Sequence, residues 1–210
     1  MARCKREILE LFSGKIGDVV ICQGKYGVYV RRLPQAPLLP ATTAQRTQRR
    51  RFAACVLFYR SLKAAGLAEA WRTMSRQGKP EPQNGFIRRN LMRFTAGGEV
   101  ADFDGLCLTE GGLDFPGGFR VAGRRGECLE AEWEPAEYPW RGAEEDRLRA
   151  VVMTGRGNYG LHLADTGGAR RGDCRATIRF PPEGAEGGHL YLYFEAADGG
   201  DFSTSKHIEF

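Results

Sequence analysis

The sequence predicts an α+β protein: an N-terminal β-hairpin with three helices, then an all-β sandwich of immunoglobulin or fibronectin type. Three observations lead there. Two β-branched runs flank a Gly-containing loop near the N-terminus, and apolar residues then recur at helical spacing. Beyond the segment 95–105 the chain turns glycine-rich, with about seven short strand patterns at the close intervals of a sandwich. Charge divides the same way: residues 1–97 carry 19 Lys and Arg against 5 Asp and Glu, and residues 98–210 carry 12 against 21. The halves are thus net +14 and −9, which suggests modules with different partners or surfaces that attract each other. The expected division is a basic module at 1–97, a linker at 98–105 and an acidic sandwich at 106–210.

Within "GKIGDVVICQGKYGVYVRRLP", residues 14–34, Val19–Cys22 and Val28–Val30 form the two arms of a hairpin turning through residues 23–27. Pro34, Pro37 and Pro40 then enforce an extended connector. Thr42 or Thr43 can cap the next helix, where Phe52, Cys55, Phe58, Tyr59, Leu62 and Ala65 share one arc and Gly66 ends the run. Leu67, Ala70, Trp71 and Met74 mark a second helix. After "QGKPEPQNG", Asn84 is placed to cap a third, with Phe86, Ile87, Leu91 and Phe94 inward.

In the second half, Leu106–Leu108 opens the β-rich region. Leu129, Ala131 and Trp133 alternate with glutamates, as a half-buried strand requires. Residues 148–153, 159–163, 174–180, 189–196 and 203–210 continue the series, and Asp198-Gly199-Gly200-Asp201 supplies a turn before the last. A closed barrel is the competing architecture.

The run Gly14-Lys15-Ile16-Gly17-Asp18-Val19-Val20, then Gly24-Lys25 to Arg31, then Gln45-x-x-Gln48-Arg49 with Phe52, resembles an uncharacterised domain family of Bacteroidota and related phage or prophage regions. The family pattern is GKIGxVV…GKxxVR…TPAQxxQRxxF, and the matching motifs cover residues 12–58. Val30-Arg31 falls two residues later than in that pattern, and Thr43 stands where the family tends to have Pro. The resemblance implies no reaction, cofactor or catalytic residue; it points toward a phage-linked or assembly role.

Catalytic signatures are sparse. There is no G-x-S-x-G, and Ser13-Gly14-Lys15 lacks the phosphate-loop order. His162, His189 and His207 lie in expected strands, and only the fold could bring them together. Asp102-x-Asp104-Gly105 with Glu110 lacks the donor count and spacing of a calcium loop, and Glu144-Glu145-Asp146 reads as a solvated loop. The six cysteines are scattered without zinc spacing and read as free thiols. No cofactor, metal-ligand set or small-molecule substrate is expected, and the protein reads as a non-enzyme. No apolar run reaches the roughly 18 residues of a membrane span. With no secretory signal pattern, a cytoplasmic location is expected, with virion association as the phage-linked variant.

The remaining functional feature is a basic face. Arg46, Arg49, Arg50, Arg60 and Lys63 share one side of the first helix, and Arg88, Arg89 and Arg93 extend the surface from the third. Such a face suits an acidic protein surface, including a second copy of the chain, or the phosphates of a nucleic acid. It also suits a merely solvated helix. Trp140, beside prolines and off the alternating pattern, is a candidate exposed contact aromatic. The function expected is assembly or interaction, with a phage-related structural component as its phage-linked form; nucleic-acid association through the basic helices is the alternative.

Overall fold

A computed structural model describes residues 13–24, 27–33, 35, 40–78, 80–135, 141–155, 159–182 and 188–210. The chain forms two units, residues 1–42 and 43–210. Among the described residues it is a mixed α+β protein with three helices and three antiparallel sheets.

In the first unit, β1 (Gly14–Ile16), β2 (Val19–Gly24) and β3 (Gly27–Arg32) form a three-stranded antiparallel sheet. The expected hairpin is β2–β3, closed at Gly24↔Gly27. β1 is an unexpected third strand: Ile16 pairs with Val19 across a turn in which Gly17 takes φ +56°. That left-handed conformation suits glycine, which has no Cβ to clash.

The second unit opens with α1 (Thr43–Ala64), α2 (Glu69–Arg76) and α3 (Pro82–Asn90). α1 ends at Ala64, and Gly66 just beyond it, with φ +77°, reverses the chain. Phe58 stacks on Phe86 at 5.8 Å and meets Phe94 and Tyr159 at 5.5 Å each. The Trp71 indole meets Phe86 edge-on and donates its N–H to Leu108 O at 2.7 Å, pairing its one polar atom inside the core. Buried Asn90 binds the segment after the helices on both sides. Its Oδ1 accepts from Cys107 N at 2.8 Å, while Nδ2 donates to Cys107 O and Phe86 O.

The strands form two sheets. β4 (Arg120–Arg125), β5 (Cys128–Glu132) and β8 (Arg175–Arg179) run in the order 4-5-8. β6 (Arg147–Thr154), β7 (Gly160–Ala164), β9 (His189–Glu195) and β10 (Lys206–Glu209) run 10-9-6-7. Leu129 and Ala131 of β5 and Ala176 and Ile178 of β8 share a core with Leu148, Ala150 and Val152 of β6 and with Leu190, Leu192 and Phe194 of β9. The opposite faces of β6 and β9 carry Val151, Met153, Tyr191 and Tyr193, which join the helices' core. The four-stranded sheet is therefore a middle layer, with a sheet on one face and helices on the other.

That layering corrects the expected division. The helices share a core with the strands, and the chain divides between residues 42 and 43 instead of across 98–105. The physical reason is the second apolar face of β6 and β9: an exposed Val-Met-Tyr-Tyr surface is costly, and the helices' apolar stripes bury it. Residues 98–105 are pinned, with Val100 N donating to Tyr159 Oη at 2.6 Å and Tyr191 Oη donating to Phe103 O at 2.9 Å.

Smaller expectations change too. Phe52, placed inward, is 48% exposed because the core reaches only as far as Ala54 along α1. Asn84 is no cap, since α3 begins at Pro82 with Glu81 before it. Leu106–Leu108 is buried but not a strand, and β4 appears where none was expected. Asp146 is no solvated loop residue: it lies in a buried ion pair with Arg171, Nε to Oδ2 at 3.1 Å. Cys22, Cys55, Cys107, Cys128 and Cys174 are free, while Cys4 and most of the proline segment lie outside the described residues.

Candidate functional site

Two places in the second unit gather functional chemistry. The first is the basic face. α1 contains no Asp or Glu, and none of its residues before Ala54 is buried. Eleven residues, about 16 Å of helix at 1.5 Å per residue, thus run past the core. Arg46, Arg49 and Arg50 are exposed there, at i, i+3 and i+4. Like charges at those spacings repel and destabilise an isolated helix by a few tenths of a kcal/mol per pair. Among the described residues only the Arg46 guanidinium of these three finds an acceptor, Thr43 Oγ1 at 3.2 Å. Arg49, Arg50, Arg60, Lys63 and Arg88 are exposed and have no carboxylate partner among the described residues. Leu57, 59% exposed, stands between Arg50 and Arg60 on the same side of the helix.

The face is smaller than the sequence implied. Arg93 turns back to Asp102, Nη1 to Oδ2 at 2.5 Å, and is half-buried there. Arg89 lies 4.0 Å from Glu110. Both are partly neutralised from within, Arg93 by Asp102 of the 98–105 segment and Arg89 by Glu110 beyond it. Trp140 lies outside the described residues.

The second place is a cleft of about 640 Å³ between residues 99–104 and the β9–β10 edge. Asp104 Oδ1 lies 2.5 Å from His207 Nδ1, and His207 Nε2 lies 2.9 Å from His189 Nδ1. A carboxylate accepts only, so it takes the Nδ1–H of His207. With both rings neutral, His207 Nε2 then accepts from His189 Nδ1–H. Phe103 stacks on the His189 ring at 3.5 Å between centroids. Burial, and then the neighbouring His207, hold His189 below the ordinary histidine range against the opposing pull of Glu209 and Asp104.

The sequence offers Asp104, His189 and His207 separately without joining them. His207 and Asp104 lie 103 residues apart, so no local spacing links them. The signal that did exist was alternation: the register sets Glu209 opposite His189, with His207 two residues earlier on the same face. His162, opposite Val152 in β7, takes no part. The calcium-like pattern dissolves as well, since Asp102 accepts from Gly105 N and Arg93 while Asp104 holds His207. No family model, curated protein or solved structure matches this chain.

Proposed function

We propose that this is a non-enzymatic interaction protein whose working surface is the basic face of α1, presented on a helix-backed β-sandwich. The observation that carries the reading is the run of α1 past the core, with Arg46, Arg49 and Arg50 exposed and no carboxylate within the helix. A helix that keeps self-repelling cations at its exposed end gains most from an anionic surface brought to it. Exposed Leu57 among the arginines and nearby Phe52 favour a protein partner, because apolar contact adds affinity that phosphates do not supply. The partner we favour is an acidic protein surface, including the acidic half of a second copy.

The fold reading that goes with it is a fibronectin-like sandwich. Lettered in chain order from β4, the strands fall into an A-B-E sheet and a G-F-C-D sheet, in which the fourth strand lies beside the third. The shared core and the Trp133 side chain between the sheets support this. Sandwiches of this kind present loops and sheet edges to partners, which suits an assembly role, and the resemblance of residues 12–58 to a phage-associated family points the same way.

A second reading, binding of a phosphate backbone, rests on the same arginines. One experiment separates the two. The protein and its Arg49→Glu/Arg50→Glu variant are run by size exclusion with light scattering at about 50 and 500 mM salt, alone, with polyglutamate and with random duplex DNA. Self-association or polyglutamate binding that is lost at high salt and in the variant supports the proposal. Binding of DNA alone supports the second reading. A wild-type protein that stays monomeric and binds neither probe at low salt removes both.

A further inference from the structure

We propose that His189 and His207 form a binding site for a divalent transition-metal ion, with Glu209 as third donor and Asp104 orienting His207. The donors come from two paired antiparallel strands. Glu209 sits directly across from His189, and His207 precedes it by two residues, so all three side chains rise from one face of the β9–β10 ladder.

The spacing suits a metal ion. The two facing nitrogens are 2.9 Å apart. Ligands at about 2.0–2.1 Å from an ion stand about 2.9 Å apart at a right angle and about 3.4 Å apart at a tetrahedral angle. The pair need open by no more than about 0.5 Å for either geometry, and each ring turns by about 35–45° so that its lone pair meets the ion. With both rings neutral, one proton lies between these nitrogens. Moving it from Nδ1 to Nε2 of His189 leaves that ring neutral and turns two lone pairs toward each other, an arrangement that a cation between them stabilises.

The surroundings complete the site. A carboxylate on the far nitrogen of a ligating histidine fixes its tautomer and raises its basicity; Asp104 does this for His207, whose side chain is only 6% exposed. Phe103 holds the His189 ring by stacking. Glu99 also lines the cleft, as does Asp102, which Arg93 already neutralises; among the described residues no Lys or Arg lines it, so its field favours a cation. Among the described residues no three such donors already stand at coordinating distance. The Glu209 carboxylate, on the edge strand β10, swings in on binding. Two imidazoles and one carboxylate select Ni²⁺, Cu²⁺ or Zn²⁺ over Mg²⁺ and Ca²⁺.

The test is titration calorimetry of untagged full-length protein with Ni²⁺, Zn²⁺ and Mg²⁺ near neutral pH. The expected result is one Ni²⁺ or Zn²⁺ per chain and no Mg²⁺. His189→Ala and His207→Ala should abolish binding, and Asp104→Asn should weaken it by roughly 10–100-fold. His162→Ala should leave it unchanged. Absence of Ni²⁺ and Zn²⁺ binding, or binding that survives both His189→Ala and His207→Ala, overturns the proposal. Should those variants lose their fold, imidazole ¹⁵N spectra of the wild-type protein decide. Shifts at His189 and His207 but not His162 on adding Zn²⁺ support the site, and unchanged His189 and His207 signals refute it.

Discussion

The buried pair Asp146–Arg171 offers the sharpest test of the packing argument. Both side chains are 3% exposed, and Arg171 Nε donates to Asp146 Oδ2 at 3.1 Å. Asp146 Oδ2 also accepts from Ala143 N at 2.9 Å, and the Arg171 guanidinium lies 4.4 Å from the centre of the Phe194 ring. The Arg171 Nη1 and Nη2 atoms are buried without hydrogen-bond partners among the described residues, where the carboxylate is the main compensation for that cation. Asp146→Ala removes it and leaves a buried charge, which costs about 3–5 kcal/mol. For a folded unit of this size each kcal/mol moves Tm by roughly 2–4 °C, so the midpoint should fall by about 6–20 °C. Replacing both partners with apolar groups, Asp146→Leu with Arg171→Met, removes the charge as well as its partner. That double variant should recover most of the loss, because well-packed apolar replacements of buried pairs are often neutral. Urea denaturation followed by circular dichroism, on both single variants and the double variant, measures the coupling. An Asp146→Ala loss below about 1 kcal/mol, or a double variant no better than the singles, would refute the account.

Two other outcomes follow from buried polar groups. Asn90→Ala strands the N–H and C=O of Cys107 in the core, and at about 1–3 kcal/mol per unsatisfied group it should cost roughly 2–6 kcal/mol in the same urea assay. Stability should also fall in alkali: burial, ahead of the nearby Glu195, pushes the Tyr193 hydroxyl up to about 12 from an ordinary value of about 10. The unfolded chain then loses that proton first, so this contribution is intact below pH ~10 and is lost by pH ~12, at about 2–3 kcal/mol. Burial pushes Tyr191 up as well, which deepens the same alkaline loss. Urea midpoints between pH 9 and 12, compared with those of a Tyr193→Phe variant, check the window; wild-type and variant profiles that run parallel across it contradict it.

Much of the local structure was legible in the sequence. Leu129, Ala131 and Trp133 alternate with glutamates, and β5 buries the apolar set. The spacing of Leu67, Ala70, Trp71 and Met74 marked a helix face, and all four are buried. The β9 sequence "HLYLYFE" was less clear, because a strand buried on both faces has no polar side to reveal its period. Its Tyr191 and Tyr193 face the helices while Leu190 and Leu192 face the other sheet. The charge split gave the opposite impression, suggesting two separate bodies; it reports on surfaces and is silent on which apolar faces meet. For the sites, the exposed arginines of α1 could be read from helical phase, whereas the inward turn of Arg93 depended on where Asp102 came to rest.

What the sequence determined by itself was the set of local periods: which residues form strands and helices, which face of each is apolar, and that α1 carries a basic stripe. These are properties of a few consecutive residues and their side-chain directions. Only the tertiary structure decided that the β6–β9 sheet is a middle layer and that Asp104, His189 and His207 meet in one cleft. Those outcomes depend on which apolar faces find each other when distant segments close, and no local pattern encodes that choice.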